Sequence, residues 1–280
     1  MKLLRYGPVN EEKPGILDSE GTIRDLSQEI DDLTPSQLSP AAIERLRNLD
    51  SSTLPTVKND KRIGVPVSGI GKIVAVGLNY ADHAKEAGLP IPDEPVLFTK
   101  TTSAITGPYD PVRIPRGSKK TDWEVEIAFV IGSLASYVDE SDAASHIAGY
   151  CILNDVSERE FQIERGGQWM KGKCADTFAP IGPWLVTPDE VGDPQALNMW
   201  LDVNGKRFQE GSTDTMIFSC AFCLSYISQF MTLNPGDVVT TGTPPGVGLG
   251  QKPPVFLTSG DVMTLSIERL GEQRQEVIAA

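Results

Sequence analysis

Apolar positions along this chain come in short runs separated by polar punctuation. Most of the runs are too short, and too rich in β-branched residues, to be helices. Lys72-Ile73-Val74-Ala75-Val76-Gly77, Val96–Lys100, Ile127–Ile131, Ile147–Val156, Leu197–Val203, Val238–Thr241 and Val262–Ile267 read as strands. Asn204-Gly205 follows one of them as a strong hairpin turn. Helical patterns are few. Ser39 and Pro40 start one over Ala41–Leu46, and Asn79–Gly88 reads as a loop with a short helix. Strands and helices do not alternate regularly, which argues against a doubly wound sheet. The pattern predicts an α+β, β-rich fold with mixed, mainly antiparallel pairing.

One stretch needs a membrane check. No charged residue occurs from Thr215 to Gly236, and Met216, Cys220, Cys223, Ile227 and Phe230 recur at helical spacing. Serines and other polar residues interrupt the run and Pro235 ends it. It predicts a largely buried amphipathic helix and not a membrane span.

Residues 1–70 read as a small accessory unit. Its short strands are Leu3–Tyr6 and Gly15–Leu17, with Asp18-Ser19-Glu20-Gly21 as a turn. The main domain is expected from Gly71 to the end, residues 71–280. With 280 residues the chain suits one large domain or two unequal ones. A net charge of −13 disfavours nucleic acid and anionic membrane as partners, and it makes an anionic substrate dependent on a local cation. Met1–Gly7 lacks the long apolar core of a signal peptide. The four cysteines are too sparse for a disulfide scaffold, so a reducing cytoplasm is the expected location. Cys220-Ala221-Phe222-Cys223 reads as core packing, because no second pair stands at zinc-binding spacing.

Candidate chemistry begins at Asp122-Trp123-Glu124-Val125-Glu126, directly before the apolar run Ile127–Ile131. Side chains two apart on a strand share a face, so Glu124 and Glu126 project side by side. Like charges held together at the start of a buried strand call for a counter-charge. Carboxylate oxygens suit a hard divalent ion, Mg²⁺ or Mn²⁺. Asp155, near the end of another apolar strand, is a third candidate ligand, with a turn or helix-cap role as the plainer alternative. His83 and Glu86 stand three apart on the short helix, where a carboxylate fixes the tautomer and raises the basicity of an imidazole. Alone, that pair would be an ordinary surface contact. His146 is placed at a helix end with no catalytic role. Lys173, Lys171, Arg159 and Gln162 lie near these groups in the sequence. The glycine-rich stretch Thr241–Gly250 exposes backbone N–H groups able to clasp a carboxylate, and it does not match a nucleotide-binding loop.

Taken in order, these motifs resemble the fumarylacetoacetate hydrolase family from about Gly71 to Ile267. They are Val76-Gly77-Leu78-Asn79-Tyr80 leading to His83-x-x-Glu86, then Glu124-x-Glu126, Asn154-Asp155-Val156-Ser157-x-Arg159-x-x-Gln162, Gln168-Trp169 leading to Lys173, and Thr241-Gly242-Thr243-Pro244. The N-terminal unit resembles that of bacterial sugar-acid catabolic members. The resemblance implies a mixed β-roll catalytic domain behind a small α/β unit, and a homodimer. It implies Mg²⁺ or Mn²⁺ held by Glu124, Glu126 and Asp155. His83 and Glu86 would form a water-activating dyad, and Lys173 would stabilise a developing enolate. Arg159, Gln162, Thr243 and Tyr80 would contact the substrate. The implied activity is hydrolysis of the C3–C4 bond of a 2,4-diketo acid, with 2,4-diketo-3-deoxy-L-rhamnonate giving pyruvate and L-lactate. Acylpyruvate hydrolysis, oxaloacetate decarboxylation or another 2-oxo acid lyase or isomerase reaction are the alternatives on the same site.

Overall fold

A computed structural model describes residues 1–58 and 61–280. Its centre is the pair of strands Val125–Ile131 and Ile147–Asn154, in which every residue is buried. Their side chains have no solvated face, which accounts for continuous apolar runs where a half-exposed strand would alternate. The two pair antiparallel, with Glu126 opposite Leu153 and Val125 opposite Asn154. Asp155 therefore leaves its strand beside the start of the other, and its N–H donates to the Glu124 carbonyl at 2.9 Å.

On the other side of Val125–Ile131 lies Val238–Thr240, antiparallel to it and parallel to Ile73–Gly77, which pairs in turn with Val96–Lys100. Thr240 is level with both Ala128 and Ala75. The chain segments at Gly77, Glu126, Asp155 and Gly242 thus emerge at one end of the sheet. Val96–Lys100 stands at the edge of the strand order. Lys100 nonetheless reaches Asp155, so the sheet curls back on itself as a roll.

Among the described residues, ten strands make this sheet and five make a second, formed by Lys206–Ser212, Asn198–Val203, Val262–Ile267, Gly271–Ala279 and Val112–Ile114. The turn between the first two has Asn204 and Gly205 at φ 53° and 75°. That is the left-handed pair a two-residue hairpin requires, and the reason for Asn-Gly there. The architecture is α+β and strand-rich with mixed pairing, as the pattern predicts.

The expected boundary near residue 70 does not divide the sheet. Lys2–Tyr6 pairs with Ala179–Val186, and Lys13–Leu17 and Ile23–Asp25 follow outward. Leu3, Ile16, Leu26 and Leu46 belong to the same apolar core as Val125 and Ile152. The helix expected after Ser39 is Pro40–Arg47, and the Ser39 hydroxyl accepts from Ala42 N at 3.2 Å.

The uncharged stretch differs from expectation. Its helix is only Cys220–Ser228, started by the Ser219 hydroxyl accepting from Phe222 N at 3.0 Å. Met216 precedes the helix, and Phe230 follows it, largely exposed. Apolar spacing continued past both ends, but the local hydroxyl cap set the start. Cys220 and Cys223 are buried within it as free thiols, and burial pushes the Cys220 thiol up to about 12. Among the described residues no helix is long and apolar enough to cross a membrane.

Candidate active site

At that shared sheet end a cavity of about 430 Å³ opens, lined by His83, Glu86, Glu124, Glu126, Arg159, Gln162, Lys173 and Thr243, among others. Carboxylate oxygens of Glu124, Glu126 and Asp155 lie within 4.8 Å of one another; the two glutamates line the cavity floor, and Asp155 is fully buried beside them. All three residues are buried. The strand register described above produces this convergence. The N–H groups flanking the turn into the strand are held by side chains, Glu124 N by Asn154 Oδ1 at 3.2 Å and Val125 N by Gln209 Oε1 at 3.0 Å.

Charges around the floor alternate in sign. Lys173 Nζ bridges Glu124 Oε2 at 2.7 Å and Asp155 Oδ2 at 2.6 Å. Arg159 reaches Glu124 Oε1 at 2.7 Å and Asp122 Oδ2 at 2.8 Å, and donates to Gln162 Oε1 at 3.1 Å. Lys100, fully buried, holds Asp155 Oδ1 at 2.5 Å and the Val156 carbonyl at 3.1 Å. Burial works to raise the Glu124 carboxyl, but Lys173 and Arg159 outweigh it and bring it down to about 2. Burial also lowers the Lys100 ammonium, which Asp155 only partly offsets.

Glu126 is the outlier. It accepts from the Thr240 hydroxyl and from Gly242 N, and among the described residues no cation pairs with it. Burial, then the charges of Asp155 and Glu124, push its carboxyl well above the usual range. A buried carboxylate left without a counter-ion, facing two more, is a donor set that fits a hard divalent cation. Glu124, Glu126 and Asp155 would hold it.

His83 and Glu86 occupy the helix Ala81–Ala87, which follows the strand Ile73–Gly77 after three residues. His83 Nδ1 lies 3.2 Å from Glu86 Oε2, and the two side chains keep 14 % and 22 % of their surface exposed. Gly246 N donates to both Glu86 oxygens at 3.1 and 3.2 Å. Burial raises the Glu86 carboxyl, but the bonds from His83 and Gly246 more than compensate and lower it, so it stays an anion beside the imidazole.

The glycine-rich stretch does clasp carboxylates, and they belong to the protein itself. Gly242 N meets Glu126, Gly246 N meets Glu86, and Gly248 N and Leu249 N meet Asp122 at 2.6 and 3.0 Å. Glycine is required where a Cβ would strike the main chain. At Gly246, φ is 104° and a Cβ would stand 1.9 Å from the Phe208 carbonyl oxygen. Gly172 serves the same end for Lys173. A Cβ there would meet the Glu158 carbonyl oxygen at 2.4 Å, so its absence lets Met170–Lys173 pack down and bury the ammonium.

Tyr80 is placed elsewhere. It is fully buried, its hydroxyl meets Met199 Sδ at 3.4 Å, and it is not among the cavity residues. As the residue entering the helix Ala81–Ala87 it turns into the apolar core, away from the cavity where a substrate contact is expected. Thr243 lines the cavity, but its hydroxyl already donates to Val125 O and accepts from Gln209 Nε2, each at 2.8 Å. His146 meets Ser133 away from the cavity. Lys100, Asp122 and Gln209 escaped the sequence reading as site residues. Lys100 ends a short apolar strand as Asp155 does, and the same cue applied to cations would have found it.

Comparison with known proteins agrees with this geometry. The fumarylacetoacetate (FAA) hydrolase C-terminal family matches residues 72–278, and the chain belongs to that family. A Burkholderia multivorans protein, named provisionally as a hydrolase, is 60 % identical over all of both chains. A 5-carboxymethyl-2-hydroxymuconate delta-isomerase from Mycobacterium smegmatis superposes with a TM-score of 0.78 at 31 % identity, covering 100 % of this chain and 99 % of its own. A maleylpyruvate hydrolase from Sphingobium sp. SYK-6, solved with manganese(II) and pyruvate, superposes at 0.82 and 28 % identity over the whole of both chains.

Proposed function

We propose that this protein is a divalent-metal-dependent hydrolase that cleaves the C3–C4 bond of a 2,4-diketo acid, releasing pyruvate and a second acid. One observation carries the reading. Glu124, Glu126, the Lys173 ammonium and the His83–Glu86 pair line a single cavity, and the Asp155 carboxylate lies within 4.8 Å of both glutamates. The manganese and pyruvate of the Sphingobium hydrolase support it, because pyruvate is the fragment this cleavage leaves.

Mg²⁺ or Mn²⁺ on Glu124, Glu126 and Asp155 would supply positive charge and Lewis acidity toward a 2-oxo acid. With Nδ1 protonated, His83 donates a hydrogen bond to the Glu86 carboxylate, which would leave Nε2 as the basic nitrogen. His83 takes a proton from water, and the oxygen adds to the C4 carbonyl. The C3–C4 bond breaks with its electron pair on C3, as a pyruvate enolate. The Lys173 ammonium stabilises the negative charge that develops there. A proton then returns to C3. Activated water sets this chemistry apart from decarboxylation, which needs none. It likewise sets it apart from isomerisation, the activity of the Mycobacterium smegmatis neighbour.

Within the class, 2,4-diketo-3-deoxy-L-rhamnonate, giving pyruvate and L-lactate, is the first substrate to offer, on the resemblance of the N-terminal unit. We place the enzyme in the cytoplasm as a homodimer, which light scattering on the purified protein checks. The deciding assay incubates the protein and Mn²⁺ with a panel of 2,4-diketo acids and follows pyruvate by NMR. Metal-dependent pyruvate release is expected. Undiminished release under a strong chelator, or isomerised substrate without cleavage, would overturn the reading.

A further inference from the structure

The strand Gly271–Ala279 alternates along its length. Glu272, Arg274 and Glu276 are exposed, while Gln273, Gln275 and Val277 are buried. Two of those inward positions hold glutamine, where a strand with one buried face would carry apolar side chains. Burying an amide costs free energy unless each polar atom finds a partner, and here each does. Gln273 Nε2 donates to three main-chain carbonyls, Ile152 O at 2.9 Å, Gly182 O at 3.0 Å and Pro180 O at 3.4 Å. Its Oε1 accepts from Gln275 Nε2 at 3.0 Å, and the same nitrogen donates to Pro108 O at 2.6 Å. Gln275 Oε1 accepts from Asn154 Nδ2 at 3.2 Å, and Asn154 Oδ1 accepts from Glu124 N at 3.2 Å.

The three amides therefore run in one direction. Carbonyl oxygens meet the Gln273 and Gln275 nitrogens, so neither amide can turn over without setting oxygen against oxygen. Gln275 is left to offer its oxygen to Asn154, and Asn154 turns its own oxygen to Glu124 N. The chain of bonds crosses from the second sheet to the first and ends on the main chain of a candidate metal ligand. Asn154 also immediately precedes Asp155, whose N–H donates to the Glu124 carbonyl at 2.9 Å. Asn154 and Asp155 together thus clasp both sides of Glu124, and Gln275 stands behind that clasp, outside the cavity. An apolar side chain in place of Gln275 could fill the space without burying an amide. What it could not supply is the orientation of Asn154.

We propose that Gln275 is a positioning residue for metal binding: acting through Asn154, it holds Glu124 and Asp155 in the mutual placement that a divalent ion needs. The inference rests on Glu124, Glu126 and Asp155 being the ligands of that ion, and not on which substrate is cleaved. Partners behind the ligands orient them, and their loss weakens metal affinity even though they never touch the ion.

Mn²⁺ binding to the full chain, measured calorimetrically well below the unfolding temperature, tests this. Gln275→Met should bind Mn²⁺ about tenfold more weakly than the wild type, and electron paramagnetic resonance of its bound Mn²⁺ should show an altered zero-field splitting. Gln275→Asn keeps an amide but falls short of Asn154. It should show the same loss, and it serves where Gln275→Met does not fold. Asn154→Leu should weaken binding at least as much, and adding Gln275→Met to it should change the affinity by less than about twofold. Thermal melts without metal report the stability cost separately. Unchanged Mn²⁺ affinity in the Gln275 variants, whatever their melting temperatures, overturns the inference and leaves the metal site standing. So do effects of Gln275→Met and Asn154→Leu that multiply in the double variant. A wild type that binds no Mn²⁺ overturns the metal site and the inference with it.

Discussion

The floor and the wall of the cavity are built in opposite ways. The floor carboxylates sit on or directly beside the ends of two central strands with no exposed residue, and their spacing is fixed by strand register and by Asn154 and Gln209. The wall's basic pair sits on a seven-residue helix and stays partly open to solvent. It is made locally, by an i,i+3 contact, and is steadied from afar by Gly246. Ion binding needs several oxygens held in place at once, which suits the sheet. Proton transfer needs one nitrogen near a water, which a short helix at the rim can supply.

Substitutions can separate the two regions. The largest effect is expected from Asp155→Asn, which removes a ligand charge from the floor. Metal-dependent turnover should fall below detection and Mn²⁺ binding should be lost by calorimetry, with the circular dichroism spectrum kept. His83→Ala should reduce hydrolysis by about 10²–10⁴-fold and leave the Mn²⁺ affinity unchanged. If affinity falls as well, floor and wall are not independent. Lys100→Met removes one partner of a buried pair and should cost about 3–5 kcal/mol of stability, read from denaturant unfolding. It should also weaken Mn²⁺ binding, because Asp155 loses the group that fixes Oδ1. Gly246→Ala should have the smallest effect on the floor and a clear one on the wall. Its Cβ would displace the loop that steadies Glu86, lowering kcat by about tenfold at constant metal affinity.

The same contrast explains what the sequence disclosed. Glu124 and Glu126 were legible because a period of two places them together before a long apolar run, and His83–Glu86 because a helix turn does. Asp155 was legible from its position at a strand end. Lys100 was not, because its partner lies 55 residues away across a curled sheet. Nor was the occupation of Arg159 by Asp122 and Glu124. The glycine-rich stretch was correctly read as a carboxylate clasp, but the identity of its guests depends on pairings up to 160 residues apart. The helix expected across the uncharged stretch was overextended because hydrophobic spacing carries no end mark, whereas the Ser219 cap does.

That glycine-rich loop also bears on how the enzyme can be altered. By fastening Glu126, Glu86 and Asp122 together it couples the floor, the base and the arginine in ten residues of backbone. Lengthening or shortening it would disturb all three at once, so insertions and deletions there should cost activity. The positions open to change are exposed cavity-lining residues outside that loop, Leu89, Ile163 and Lys252. A library confined to them should shift substrate range while sparing the reaction.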